Sequence, residues 1–534
     1  MSRKLALFAV ILVPLLAGGF VVQQRSTRDS ARLLDQVLGI VANRYVDSLG
    51  EAALYEKAAR GLVHELNDPY SVLLSPKELS SFNAQTNGRY AGIGMEIAQI
   101  GGFIEVQRVF PHTPAEQAGV QEGDRIVAVD TATTRGWTTQ QTSDALKGTP
   151  GSKVAVKFSR PGVNELIPIT FTRAVIKIPA VAFAIMLDGK IGYIPLLQFN
   201  ETATDELEAS VNRLTKEGAK SIILDLRGNP GGILDQALAT SNVFLKKGQE
   251  LSSIRARNGE TQSYAATEDP IAPTVPLIVL TDGRSASASE IVAGALQDHD
   301  RALVMGTTSF GKGLVQSVFP LDGGYALKMT TAKWYTPSGR SIQKERKLLS
   351  NGDFVEVMPD SLETDSARRA RPAYKSDLGR VVYGGGGITP DIVVAADTLT
   401  TPEQKLFNAF APKTVIVRTV LLNYSIELKK TVKPDFVVPP TWREEFYRRL
   451  LAQGVVIDRA LYEQAGGEVD RLIGNSVARL AFGDSTAKRR AISDDVQLER
   501  AIAAARQSSS QRDLLALAQK APISLKSQSA TAKR

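Results

Sequence analysis

The sequence predicts an α/β core that is interrupted by a smaller β-rich domain and has helical regions at both ends. From about residue 178 to 395, apolar strand-like runs such as Ser221 to Leu226 alternate with helical patterns such as Ala203 to Glu217. Continuous apolar runs of this kind are typical of a sheet that is buried on both faces. Between about 85 and 175 the pattern changes to short alternating strands separated by glycine and proline, which predicts the β-rich insertion.

The chain has 534 residues, too many for one hydrophobic core, so several units are expected. We predict a signal peptide or membrane anchor at 1–24, a helical N-terminal region at 25–82, the β-rich domain at 83–176, the α/β core at 177–398 with a charged surface insertion at 344–384, an α-helical C-terminal extension at 399–505 and a basic tail at 506–534. The tail has six basic residues and one acidic residue, and its polar composition predicts disorder.

The N-terminus has the pattern of an export signal. Arg3 and Lys4 precede a segment without charges, Leu5 to Val22, and a basic start followed by an apolar segment directs export. Small residues at 17–19 would permit cleavage, but the segment is also long enough to span a bilayer. An uncleaved anchor is the preferred interpretation, with the rest of the chain on the periplasmic or equivalent extracytoplasmic side.

Ser287 stands between an apolar strand-like run, Pro276 to Leu280, and a helical run, Ala288 to Gln297. This arrangement places the serine hydroxyl at the positive end of a helix dipole. Unpaired backbone N–H groups, including that of Ala288, would stabilise an oxyanion there. Ser287 and Glu290 also match a helix capping box. The serine is therefore a candidate nucleophile, with capping as the alternative.

Lys312 lies between two glycines in an apolar segment, with no carboxylate within nine residues on either side. Burial without a counter-ion lowers the pKa of a lysine and yields a neutral amine that can accept a proton from serine. Gln316 lies four residues later and, in an extended segment, on the same face, where its amide could orient the amine. The alternative is a solvated lysine in a glycine-rich turn.

Three motifs carry a resemblance to a known family: Ser-Ala-Ser-Ala-Ser-Glu-Ile-x-Ala-Gly-Ala-Leu-Gln-Asp at 285–298, Phe-Gly-Lys-Gly-x-Val-Gln at 310–316, and Thr-Ala-Lys-Trp-Tyr-Thr-Pro-Ser-Gly-Arg-Ser-Ile-Gln at 331–343. They resemble the carboxyl-terminal processing proteases, also called tail-specific proteases, over roughly residues 30 to 395. The resemblance implies that Ser287 is the nucleophile, Lys312 the general base and Gln316 the residue that orients the lysine.

A fourth block, Asp-Leu-Arg-Gly-Asn-Pro-Gly-Gly at 225–232, resembles the glycine-rich block of the same family. In that family the block supplies the second N–H of the oxyanion hole, beside the one implied at Ala288. The resemblance carries this role to Gly231 or Gly232 without choosing between them. Asn-Pro-Gly-Gly is also simply a good turn sequence.

The β-rich insertion resembles a PDZ domain. Its segment from Pro114 to Val129 is similar to the helix–turn–strand signature of such domains, and upstream the loop Ala91, Gly92, Ile93, Gly94 and Met95 matches the site where they bind a peptide C-terminus. Consecutive N–H groups form a nest for a carboxylate there, and the peptide adds a strand to the open sheet edge. A plain β-turn is the alternative for this loop.

The numbers of cysteine and histidine residues exclude other catalytic chemistries. With no cysteine there is no thiol nucleophile and no disulfide. His64 and His112 read as structural, and His299 as a solvated residue at a helix C-terminus, so neither a Ser-His-Asp triad nor a metal site is expected. No cofactor and no nucleic-acid partner are predicted.

Two rival functions remain. The first is a catalytically inert PDZ scaffold, which would require that Ser287 or Lys312 be missing from the sequence. The second is a P-loop NTPase, because residues 306–312 spell G-x-x-x-x-G-K; such a loop must open a helix and needs Ser or Thr where Gly313 stands. The preferred prediction is an exported serine endopeptidase that acts on proteins or peptides with accessible, apolar C-termini, is attached to the membrane through residues 5–22, and works as a homo-oligomer or with an adaptor.

Overall fold

The computed structural model describes residues 32–348, except 101 and 161, together with 354–356 and 369–520. The predicted signal peptide or anchor lies outside these residues. Within the described residues, no helix combines the length and the apolar character needed to cross a membrane. The chain divides into two compact units, one reaching to Leu79 and including 316–330, the other comprising 80–315 and the chain from 331 onward.

The first unit confirms the predicted helical N-terminal region. It contains helix α1 over 32–44, helix α2 (Glu51–His64), strand β1 (Val72–Leu74) and the start of helix α3 (Pro76–Asn87). Strand β1 pairs antiparallel with residues 326–328. Arg60 on α2 donates to Glu56 at 2.9 Å, to the Leu73 carbonyl at 3.0 Å and to Glu78 at 2.9 Å. One guanidinium therefore fastens α2 to both β1 and α3.

The β-rich insertion forms an antiparallel sheet, and the prediction of a PDZ-like domain at this place is confirmed. Its elements are β2 (Arg89–Gly92), β3 (Met95–Ile100), β4 (Phe103–Val109), α4 (Pro114–Gln117), β5 (Arg125–Val129), β6 (Ala132–Thr133), α5 (Thr139–Leu146), β7 (Lys153–Ser159), β8 (Ile167–Thr172) and β9 (Ala174–Lys177). The strand order is β3-β4-β5-β7-β8, with β6 beside β5. Strands β2 and β9 pair with each other, so the chain enters and leaves the domain through a two-stranded ribbon.

The α/β core alternates strands and helices as predicted. Its elements are β10 (Ile185–Leu187), β11 (Ile191–Pro195), α6 (Ala203–Lys216), β12 (Ser221–Asp225), α7 (Leu234–Asn242), β13 (Glu250–Ala256), β14 (Thr261–Ala265), β15 (Leu277–Thr281), α8 (Ala288–Asp298), β16 (Leu303–Gly306), β17 (Leu314–Pro320), β18 (Ala326–Tyr335), β19 (Arg346–Leu348), β20 (Phe354–Glu356), β21 (Ala373–Lys375), β22 (Val381–Tyr383) and β23 (Ile392–Val393). The central sheet has the order β10-β11-β12-β15-β16-β23 and is parallel apart from β10.

Both faces of this sheet are covered, because successive side chains of a strand point to opposite faces. On β15, Leu277 and Val279 join the core formed with helices α6 to α8. Ile278 and Leu280 join a second core on the other face. That explains why the strand sequences are apolar without alternation.

The second face is covered by the last two helices of the described residues, α14 (Val496–Arg506) and α15 (Gln511–Lys520). The helices that precede them in the chain are α9 (Thr401–Phe410), α10 (Thr414–Leu428), α11 (Pro440–Ala452), α12 (Arg459–Gln464) and α13 (Gly466–Arg490). Leu498, Leu514 and Leu515 are buried against the sheet. The prediction of a disordered tail from 506 is therefore wrong for 511–520. The polar composition of this segment did not indicate that Leu514 and Leu515 pack against the sheet.

Helices α9 to α13 form a core of their own and contact the PDZ domain. Arg108 on β4 forms an ion pair with Asp484, and Arg479 lies 2.7 Å from Glu122. Arg125 also donates to Thr419 Oγ1 at 3.1 Å. The helical C-terminal extension is thus in part a support for the PDZ domain.

Candidate active site

Ser287 occupies the turn between β15 and α8, at the residue just before the helix. Its backbone has φ 54° and ψ −111°, a conformation that residues with a side chain rarely adopt and that is strained. The neighbours of the serine hold the turn in place, because the Ala286 N–H donates to the Asn229 carbonyl at 3.0 Å and Ser289 Oγ donates to the same oxygen at 3.0 Å. The turn is therefore fixed on the glycine-rich block.

A single buried carboxylate joins the serine turn to the lysine loop. Glu290 is fully buried, and its Oε2 accepts from the backbone N–H of Ser287 at 2.8 Å and from that of Lys312 at 2.9 Å. Its Oε1 accepts from the Gly311 N–H at 2.6 Å and from Ser309 Oγ at 2.5 Å. The backbone N–H groups of Ser287 and Lys312 thus donate to the same oxygen atom of Glu290.

Burial raises the pKa of Glu290, and the hydrogen bonds from Ser309, Lys312, Gly311 and Ser287 act in the opposite direction. A desolvated carboxyl group is tolerated only when its oxygens are satisfied. The sequence indicated the capping contact from Glu290 to Ser287, and the structure contains it. No local pattern indicates the second half of the network, because residues 309–312 belong to the loop after the next strand, β16.

The Lys312 loop is fixed on its other side by the third motif. Trp334 Nε1 donates to the Lys312 carbonyl at 3.0 Å, and the Trp334 N–H donates to the Gly313 carbonyl at 3.1 Å. The Gly313 N–H donates in turn to Gln343 Oε1 at 2.8 Å. Trp334 is almost completely buried, so this part of the motif works by holding the lysine loop.

The P-loop alternative is wrong. Lys312 is followed by strand β17 (Leu314–Pro320), whereas a P-loop lysine must open a helix whose first N–H groups face the phosphates. The apolar, β-branched residues after Gly313 favour the strand.

The glycine-rich block lies directly against the turn that holds Ser287. A Cβ at Gly231, where φ is +97°, would lie 2.6 Å from the Ala286 carbonyl oxygen, 2.9 Å from Ser287 Cβ and 3.0 Å from the Ala288 nitrogen. The Gly231 N–H is donated to Asn229 Oδ1 at 2.9 Å. Among the described residues, the N–H groups of Gly232 and Ala288 have no such acceptor. This favours Gly232 over Gly231 as an oxyanion donor.

Gln316 lies on β17 and belongs to the first unit. Its Nε2 donates to Thr330 Oγ1 at 3.3 Å. That bond uses the amide nitrogen and leaves the amide oxygen for another donor. Its role in orienting Lys312 stays a prediction.

The predicted peptide-binding loop borders a groove of about 360 Å³ between β3 and α5. Gly92, Ile93, Gly94 and Met95 line this groove. Ala91 is not part of the lining; it pairs with Val175 in the β2–β9 ribbon. Four of the five predicted loop residues therefore lie together at the open edge.

His299 makes structural contacts at the end of α8. His299 was expected to be solvated, but its ring is largely buried: Nδ1 lies 2.8 Å from Asp377 Oδ2 and Nε2 lies 2.7 Å from the Glu250 carbonyl oxygen. Both ring nitrogens are thus engaged, because the helix end packs against β13. Across the described ranges, no group of three or more histidine and carboxylate side chains is placed to hold a metal ion.

Comparison with known proteins matches three family models to the chain. The model of peptidase family S41 matches residues 190–359, a PDZ domain model matches 105–160, and a model described as the activating protease CtpB N-terminal domain matches 21–77. The three matches follow the predicted order of N-terminal region, PDZ domain and protease core.

Similar proteins carry consistent names. The carboxy-terminal-processing protease of Bartonella bacilliformis is 37% identical over 325 residues, 60% of this chain and 74% of that protein. The carboxy-terminal processing protease CtpA of Bacillus subtilis is 32% identical over 358 residues, 65% of this chain and 76% of that protein. A solved structure named photosystem II D1 C-terminal processing protease is 31% identical, with a TM-score of 0.35 over 63% of this chain and 87% of that one.

Fold and site together define a serine protease with an inserted PDZ domain. The chain belongs to peptidase family S41 and is a protease of the carboxy-terminal processing type.

We predict that Glu290→Gln inactivates the enzyme and destabilises it by about 3 kcal/mol, because the new NH₂ group faces two N–H donors that lose their acceptor. Proteolytic rate and urea unfolding measure the two effects. Glu403→Gln is the matched control, since Glu403 also accepts from its helix N-cap, the Thr400 N–H, at 2.7 Å. The control should keep its kcat; a Glu290→Gln enzyme with wild-type kcat would contradict the role of Glu290.

We also predict that Gly231→Ala lowers kcat by at least about a hundredfold, because a Cβ there displaces the nucleophile turn, and small displacements of reacting groups have effects of this size. Gly259→Ala controls for backbone strain alone: its φ is +84°, but no atom lies within 4 Å of the added Cβ. Steady-state kinetics decide the matter, and equal kcat values for the two variants would contradict the steric account.

Proposed function

We propose that this protease cleaves peptide bonds with Ser287 as the nucleophile and Lys312 as the general base. The single observation that carries the proposal is the Glu290 oxygen that accepts from the N–H groups of both residues. It brings together two loops that the sequence separates by 25 residues, and it does so beside a helix N-terminus that can stabilise negative charge.

The proposed reaction is acyl transfer. Ser287 Oγ attacks the peptide carbonyl while its proton passes to the neutral amine of Lys312, and the developing oxyanion accepts from the N–H groups of Ala288 and Gly232. Lys312 then gives the proton to the leaving amine. Water then attacks the acyl-enzyme while Lys312 takes one of its protons, and the lysine returns that proton to Ser287 Oγ as the ester bond breaks. The family resemblance assigns the orientation of the lysine to Gln316.

We propose further that the PDZ groove captures the C-terminal tail of the substrate. The groove presents the N–H groups of a glycine-containing loop at the edge of β3, where a peptide can pair as an added strand. The lining includes the apolar side chains of Ile93, Met95 and Leu146, which suits an apolar C-terminal residue. The names of the related proteases support this substrate class.

The proposal predicts that the chain from residue 25 cleaves an unstructured protein with an apolar C-terminus, and that Ser287→Ala and Lys312→Ala each lower the rate by at least about a thousandfold. Lys216→Ala, an exposed lysine on α6, is the control and should have no effect. Cleavage should be equal with EDTA and with Mg²⁺-ATP. Cleavage at an unchanged rate by Lys312→Ala would contradict the Ser287–Lys312 dyad. Binding of the unstructured protein by the wild-type chain without cleavage would favour the PDZ scaffold.

We propose that the enzyme acts outside the cytoplasm, on the strength of the basic start and the apolar segment at 5–22. Fractionation of cells that produce the full chain should place it in the membrane with its protease part accessible to added protease from the extracytoplasmic side. Recovery in the cytoplasmic fraction would contradict export, and release in soluble periplasmic form would indicate cleavage of the segment.

A further inference from the structure

Arg227, within the glycine-rich block, uses every N–H group of its guanidinium. Nε and Nη2 donate to the two oxygens of Asp225 at 2.9 Å and 2.6 Å. Nη1 and Nη2 donate to the two oxygens of Asp495 at 2.7 Å and 2.9 Å, and Nη1 also donates to Gln497 Oε1 at 3.0 Å. Five bonds occupy the five donors of an arginine side chain, so its position is determined by these three acceptor residues.

Two of these acceptor residues come from the C-terminal extension. Arg227 and Asp495 are 268 residues apart in the chain, and Asp495 is the N-cap of α14, where its Oδ1 accepts from the Leu498 N–H at 3.0 Å. Gln497 is fastened to the core, because its Nε2 donates to the Val394 carbonyl at 2.7 Å. The arginine of the glycine-rich block is therefore completed by residues that lie far outside that block in the sequence.

The charges of this network balance. Arg227 pairs with Asp225 and Asp495, and Lys488 Nζ, which supplies the second positive charge, lies 2.8 Å from Asp495 Oδ2. Burial acts to raise the pKa of Asp495, but the hydrogen bond and the charge of Arg227, together with Lys488, hold it below its usual range. Asp495 is therefore ionised at neutral pH. Removing its charge would leave the Arg227 guanidinium, a side chain that is 14% exposed, with one carboxylate.

The backbone around Arg227 is joined to the turn that precedes α8. On one side of the arginine, the Leu226 carbonyl accepts from Ser285 Oγ at 2.8 Å. On the other side, the Gly228 N–H donates to Asp282 Oδ1 at 2.9 Å. The arginine thus lies where the glycine-rich block meets the turn that carries the candidate nucleophile, so a displacement of its side chain would act on both segments.

We infer that Asp495 is a positioning residue of the active site: it holds the Arg227 guanidinium from the C-terminal extension and so fixes the place of the Gly232 N–H. The inference rests on the proposed function, because it takes Gly232 as an oxyanion donor and Ser287 as the nucleophile. It gives the C-terminal extension a part in catalysis as well as in supporting the PDZ domain. Because the oxyanion exists only after Ser287 has attacked, the effect should fall on kcat and leave KM unchanged.

Two replacements of Asp495 separate positioning from helix capping. Asn caps a helix about as well as Asp, but it has no charge, and its NH₂ group leaves an Arg227 donor without an acceptor. Glu keeps the charge but is not among the preferred caps. Kinetics of the full chain on the unstructured protein substrate, measured below the unfolding midpoint of each variant, should give Asp495→Asn a kcat at least about tenfold lower at unchanged KM. Asp495→Glu should lose less of the kcat than Asp495→Asn.

A peptide aldehyde gives a second measurement, because its adduct with Ser287 carries the same tetrahedral oxygen as the reaction. Its inhibition constant should rise in Asp495→Asn by about the factor by which kcat falls. Asp458→Asn is the matched control, since Asp458 is the N-cap of α12 and accepts from the Leu461 N–H at 2.8 Å. The control should keep the wild-type kcat and the wild-type inhibition constant.

The outcomes separate this inference from the proposed function. A wild-type kcat in Asp495→Asn refutes the positioning role and leaves the Ser287–Lys312 proposal in place. A lower kcat in Asp495→Glu than in Asp495→Asn also refutes it, because the residue then acts as a cap. A loss of kcat without weaker inhibition by the aldehyde refutes it as well, because the oxyanion site is then unaltered. If the wild-type chain does not cleave, or Ser287→Ala cleaves at the wild-type rate, the proposed function fails and the inference fails with it.

Discussion

The site depends on a buried carboxylate whose oxygens are all occupied by donors. Glu290 accepts from three backbone N–H groups and one hydroxyl, and it is this set of bonds that lets a carboxyl group remain in an apolar interior. The same bonds stabilise the strained backbone of Ser287, since a rare conformation persists only where its surroundings fix it. Replacing the carboxylate would release the strain and separate the two loops at once.

The motifs that surround the site brace one another. The Asn229 carbonyl holds the turn that contains Ser287, and Trp334 holds the loop that contains Lys312. The glycine-rich block is in turn held by Phe199, whose N–H donates to the Gly231 carbonyl at 3.0 Å. The next residue, Asn200, donates to the Ile178 carbonyl at 2.9 Å, at the end of the PDZ ribbon. The ribbon and the glycine-rich block are therefore anchored on two adjacent residues.

Much of this arrangement could be predicted from the sequence. Continuous apolar runs indicated the buried sheet, and the change to short alternating strands indicated the inserted domain. Local motifs indicated Ser287 and Lys312 as candidate catalytic residues. These signals are local, since they depend on strand and helix periods and on the few residues around each candidate.

The rest depends on contacts between distant segments. The residues near Glu290 do not indicate that residues 309–312 donate hydrogen bonds to it. The residues near Leu514 do not indicate that this segment forms a helix that packs on the second face of the central sheet. The choice between Gly231 and Gly232 turned on where Asn229 directs its side chain.

We propose that Ser287 is activated where Glu290 and Lys312 place it. Labelling by a fluorophosphonate, followed by intact mass and peptide mapping, tests it most directly because it needs no knowledge of the substrate. The account predicts one adduct, on Ser287, that forms much more slowly when Lys312 is replaced by alanine. An adduct on another residue, or labelling of Ser287 at an unchanged rate without the lysine, would contradict it.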